Sequence, residues 1–149
     1  VPRQNVTIEK IVTGNFGDRT KEFSFTVTCD QAMEEGTGYT LTNGGKTASF
    51  TLSHEDQVVL KGIPEGAVLT IWEENREEYS VTVSADGRVL KNGRYTVTDA
   101  PNQHITVTNH RDVIIDTGIV LDSLPYILLL SAAAVGAVTL RGRRRRGER

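Results

Sequence analysis

Residues 22–29, EFSFTVTC, decide the fold. Phe23, Phe25, Val27 and Cys29 fall on one side of an extended chain, and Ser24, Thr26 and Thr28 on the other. Successive side chains of a strand point to opposite faces, so this is the pattern of a half-buried strand. Upstream, VTIEKIV (residues 6–12) repeats it, with Val6, Ile8 and Lys10 sharing a face. Downstream follow YTLT, TASFTL, QVVL, VLTIWEE, YSVTVS, RYTVTD and HITVTN. Turn signals separate them: Asn43-Gly44-Gly45, Gly62 to Gly66 with Pro64, Asp86-Gly87 and Asn92-Gly93. Strands of this length and spacing predict an all-β, antiparallel sandwich or Greek-key barrel over residues 5–111. Asp30 to Gly38 reads as a loop, and no long helical pattern precedes residue 119.

The C-terminal end is of another kind. Ile119 to Leu140 is a run of 22 residues whose one charge, Asp122, lies near its start. As a helix it spans about 33 Å, enough for a hydrocarbon core of about 30 Å. The tail RGRRRRGER (residues 141–149) carries six Arg and one Glu, net +5, so the overall −2 leaves −7 on residues 1–140. Arginine directly after an apolar span places the C-terminus in the cytoplasm and the strand-rich part outside. An acidic body is not the footprint of a nucleic-acid-binding fold, which needs its positive charge on a folded face. Residues 1–4 read as a linker from an upstream part, and 112–118 as an exposed tether. Cys29 is the only cysteine, so no disulfide forms within the chain. It continues the apolar face of Phe23, Phe25 and Val27, the placement of a buried structural thiol.

Three polar residues break the inside–outside rule. Lys10 continues Val6 and Ile8, Glu73 continues Leu69 and Ile71, and Asn109 continues Ile105 and Val107. The ordinary explanation is a strand end that reaches solvent, and it is sufficient for any one of them. It is weaker for a lysine, an acid and an asparagine on the first, a middle and the last strand. Desolvation lowers the pKa of a buried lysine and frees its amine as a nucleophile, while a buried carboxyl stays protonated and polarises an amide. Attack of the Lys10 amine on the Asn109 amide, with Glu73 shuttling protons, would form an isopeptide bond and release ammonia.

The order VTIEKIVTGN, LTIWEEN, ITVTNHRD, DTGIVLDSLPYILLL, RRRR resembles Gram-positive backbone pilins and collagen-adhesin B-type surface domains of the streptococcal major-pilin kind. The resemblance covers almost the whole chain. It implies an antiparallel Greek-key, immunoglobulin-like sandwich followed by one transmembrane helix. It also implies a bond from Lys10 to Asn109 with Glu73 as catalytic acid; Glu74 is the alternative acid, but alternation turns it outward. The family's catalytic strand often carries Tyr where this chain has Leu69. The C-terminus resembles a cell-wall sorting signal, with Ile114, Ile115, Asp116, Thr117 and Gly118 at the positions of the family's L-P-x-T-G pentapeptide. Ile115 stands where that pattern has Pro. The implied partners are a sortase, a peptidoglycan precursor or neighbouring pilin as acyl acceptor, and the membrane through Ile119–Leu140.

The resemblance therefore implies a wall-anchored structural surface module, not an enzyme beyond its own cross-linking. A single-pass adhesin or receptor that no sortase processes is the alternative. An aspartic protease is the third reading of Asp116-Thr117-Gly118. In such proteases D-T-G lies in a wide loop within the β-fold and a small residue follows, whereas here Ile119 follows and the apolar run begins. No cofactor is implied, and His54, His104 and His110 do not cluster with Cys or acids at metal-ligand spacing, so no metal site is expected.

Overall fold

A computed structural model describes residues 3–74 and 76–114. Ten strands build it: β1 (Arg3–Thr13), β2 (Phe23–Cys29), β3 (Thr40–Thr42), β4 (Thr47–Leu52), β5 (Gln57–Pro64), β6 (Val68–Glu73), β7 (Ser80–Ala85), β8 (Arg88–Val89), β9 (Arg94–Thr96) and β10 (Gln103–His110). They form two five-stranded sheets, ordered β5-β1-β10-β7-β8 and β3-β4-β2-β6-β9. Residues Val1–Val113 make one compact unit. The inward residues of both sheets, among them Ile8, Phe23, Phe25, Leu60, Leu69 and Ile105, are fully or almost fully buried and form one core. Cys29 lies in this core, and its burial raises the thiol pKa.

Every strand expected from alternation is present, and β8 adds one too short to show a period. Asp86 and Gly87 both take positive φ in the tight turn between β7 and β8, as an Asp-Gly hairpin requires. Three features differ from the sequence reading. Pairing is antiparallel throughout except between β1 and β10, which run parallel from Val6↔Gln103 to Thr13↔His110. Parallel neighbours need a crossover, and here the remaining strands supply it. Second, β5 runs through Gly62 to Pro64, so the expected turn is confined to Glu65 and Gly66. Gly62 has φ +66, and the β1–β5 register shifts between Gln4 and Val6; a bulge, not a turn, uses this glycine. Third, the chain is still docked at Val113. The Val113 N–H donates to Asn15 Oδ1 at 2.9 Å, and Asp112 Oδ1 accepts from the Asn15 N–H at 2.8 Å. Asp112 and Val113, expected in the exposed tether, are therefore hydrogen-bonded to the strand-rich unit.

No helix among the described residues is long and apolar enough to cross a membrane. The apolar run 119–140, the basic tail and the pentapeptide from Ile115 onward lie outside the described residues.

Candidate cross-linking site

Lys10 and Asn109 come from the two strands that run parallel. Lys10 is level with Val107 and Val12 with Asn109, so the two side chains lie two residues apart on the same inward face. Glu73, at the end of β6, reaches them from the opposite sheet, where it pairs with Phe25. Alternation along each strand turns all three inward. Only the packing of the two sheets brings them together.

The burial is extreme for such residues. Lys10 and Asn109 are 0 % exposed and Glu73 is 2 % exposed. Lys10 Nζ lies 3.6 Å from Glu73 Oε2. It donates to two main-chain carbonyls, Ile11 O at 3.0 Å and Val107 O at 3.4 Å. The Phe23 ring stands 4.7 Å from Nζ, and Tyr79 packs edge-on against Phe23 at 5.5 Å, closing the site on that side.

Burial pulls the Lys10 pKa down from 10.5 to about 8, against the opposing pull of Glu73. It raises the Glu73 pKa, against the nearby Lys10 ammonium and Asn109 amide. Both shifts favour the neutral pair, an amine beside a carboxylic acid. Asn109 faces Glu73 closely enough to favour its charged form. Even so, neither Glu73 oxygen and neither Asn109 amide atom has a hydrogen-bond partner of ordinary geometry. Buried unpaired polar atoms cost about 1–3 kcal/mol each, so four of them in one place are a costly arrangement for a core.

The other sequence candidates lie apart from it. Ile114 is exposed, and residues 115–118 are outside the described part. The three histidines have separate partners: His104 meets Glu9 at 2.9 Å, His110 meets Asp112 at 2.8 Å, and His54 lies 3.7 Å from Glu55. Phe23 reads in sequence as an ordinary core aromatic, and nothing in its pattern reveals that its ring faces the lysine.

The chain belongs to the DUF7601 family, a domain of unknown function, whose model matches residues 4–111. It is 28% identical over 125 residues to the pilus tip adhesin Cpa of Streptococcus pyogenes, covering 78% of this chain and 18% of that protein. It is 29% identical over 159 aligned positions to a pilin of Streptococcus pyogenes serotype M1, covering 89% of this chain and 46% of that one. A solved major pilin of Streptococcus pyogenes shares the fold at TM-score 0.58 and 23% identity, over 74% of this chain and 45% of its own. The chain thus resembles streptococcal pilins and pilus adhesins, and spans less than half the length of both curated relatives.

Proposed function

We propose that this chain is a cell-surface structural module of a Gram-positive pilin or pilus adhesin, cross-linked internally by an isopeptide bond and transferred to the cell wall by sortase. The joint burial of Lys10, Glu73 and Asn109, with the acid and the amide unpartnered, carries this reading. The neutral Lys10 amine attacks the side-chain carbonyl carbon of Asn109. Glu73 hydrogen-bonds the amide, takes a proton from the attacking nitrogen and returns it to the leaving one. The Asn109 carbon–nitrogen bond breaks, ammonia leaves, and one amide joins the first strand to the last. A buried amine and a buried primary amide become one uncharged secondary amide, which removes the cost of keeping an ionisable lysine dry.

The anchoring part of the proposal rests on sequence order. The apolar run and basic tail would hold an exported chain in the membrane and leave the pentapeptide, with Thr117, outside. A sortase thiolate would attack the Thr117 carbonyl, displace Gly118 with the rest of the C-terminus, and pass the acyl group to a wall or pilin amine.

The test is the intact mass of the purified chain together with peptide mapping. The mass should lie one ammonia below that of the sequence, with the peptides of Lys10 and Asn109 joined. Lys10→Ala, Glu73→Ala and Asn109→Ala should each restore the full mass. A folded wild-type chain at full mass would refute the cross-link.

A further inference from the structure

The backbone of Lys10 is held in an unusual way. The regular β1–β5 ladder stops at Glu9↔Gln57. Beyond it the loop Ser53–Asp56 takes the place of β5. Lys10 N–H donates to Asp56 O at 3.0 Å, and Glu55 N–H donates to Lys10 O at 2.6 Å. Two residues therefore face one, with the first of the pair, Glu55, at φ +71. This is the G1 type of β-bulge, whose first position is left-handed and favours glycine. A glutamate there costs free energy, and such strain persists where the surroundings impose it. The loop is braced internally, with Asp56 N–H on Ser53 O at 3.0 Å and Ser53 N–H on Asp56 Oδ2 at 2.9 Å.

One residue further along the loop, a side chain completes the ladder. Val12 N–H points to the side where β5 has ended, and it donates to His54 Nδ1 at 2.9 Å. The imidazole thus acts as a surrogate carbonyl, with its proton on Nε2. Bulge and imidazole together hold residues 10–12, the strand segment from which the amine reaches for Asn109.

We propose that His54, with the strained bulge at Glu55, is a positioning element for cross-link formation: it fixes the main chain of Lys10–Val12 so that the Lys10 amine meets the Asn109 carbonyl carbon. This rests on the cross-link reading above. The physical reason is the sensitivity of intramolecular reactions to alignment, where a misplacement of about 1 Å costs about 100-fold in rate. His54 touches none of the reacting atoms. Without its acceptor, Val12 N–H turns to water at the half-buried edge and the strand loosens two residues from the nucleophile.

The experiment starts from full-length chain isolated unfolded and not yet linked. It is refolded from denaturant into detergent micelles, and ammonia loss is followed by intact mass against time while protease resistance reports folding. His54→Ala should fold but lose ammonia at least about tenfold more slowly than wild type. His54→Asn, whose side-chain carbonyl can accept the same N–H, should restore the rate to within about threefold of wild type. His54→Ala is also made together with Glu55→Gly, because glycine relieves the bulge and offsets lost stability; the pair should fold and still link slowly. Linking of His54→Ala at the wild-type rate would overturn the inference and leave the cross-link standing. Equal slowing by His54→Asn and His54→Ala would also overturn it. If the wild-type chain folds without losing ammonia, the cross-link reading and this inference fall together.

Discussion

At the scale of single residues the proposed reaction depends on protonation equilibria that burial has shifted toward the neutral forms. The proposed cross-linking step would need Lys10 neutral and Glu73 protonated. With the Lys10 pKa at about 8, the share of neutral amine grows as the pH approaches that value. The raised Glu73 pKa sets the opposite limit, because the acid is lost at higher pH. Ammonia loss on refolding should therefore follow a bell-shaped pH profile, read by intact mass at early times. A monotonic profile would mean that one of the two groups is not involved. Glu73→Gln, which puts an amide of similar shape in place of the carboxyl but cannot shuttle a proton, should slow the step by about 100-fold or more.

A linked stability prediction concerns Asn109→Ala, in which Lys10 remains an amine. Its folded pKa of about 8 lies below the ordinary 10.5. Between these values the unfolded chain binds more protons than the folded one, so stability rises with pH across that window. Below about pH 8 both states are protonated and the penalty is fully present. Adding Lys10→Met should remove this slope, as denaturant melts at several pH values would show.

At the scale of elements, the exit of β10 is clasped by the turn after β1. Arg111 N–H donates to Thr13 O at 3.1 Å, and Phe16 N–H donates to Arg111 O at 3.0 Å. The Arg111 guanidinium lies 4.9 Å from the Phe16 ring and pairs with Glu78. Gly14, at φ +95, makes this approach possible; a Cβ there would collide with the Arg111 carbonyl. Gly14→Ala should destabilise the domain by about 1–3 kcal/mol through clash and a left-handed backbone. Hydrogen exchange at the Val113 amide should speed up markedly, while the mass deficit of the cross-link persists. Loss of the mass deficit would show that the clasp also aligns Lys10 and Asn109.

At the scale of the whole molecule, the proposed bond would close a loop of about 100 residues, worth up to about 4–5 kcal/mol in a chain-entropy account. Reducing agents should leave the melting temperature unchanged, since Cys29 is the only cysteine. Lys10→Ala should melt lower and be digested faster; identical behaviour would make the bond absent or irrelevant. β1 and β10 lie side by side and parallel, so the bond would carry load directly between the first and last strands, without passing it through the other strands. For anchoring, Thr117→Ala should keep the protein at full length in the membrane fraction of its host. Deleting residues 141–149 should release it into the medium. Full-length protein in membranes with and without the host's sortases would point to a membrane-anchored adhesin instead.

Strand identity and facing were legible in residues alone, because alternation is a local property of extended chain. EFSFTVTC and HITVTN each show which side is buried without reference to any partner. The same locality made Lys10, Glu73 and Asn109 conspicuous: each breaks the apolar face of its own strand. Their meeting was not local. It follows from the parallel pairing of β1 with β10 and from the packing of β6 across the core, between residues separated by up to 99 positions in the chain. The extension of β5 through Gly62, the docking of Val113 by Asn15, and the imidazole of His54 standing in for a strand carbonyl had no sequence signal either. Each depends on hydrogen bonds between segments distant in the chain, and such bonds exist only once the tertiary structure has brought those segments together.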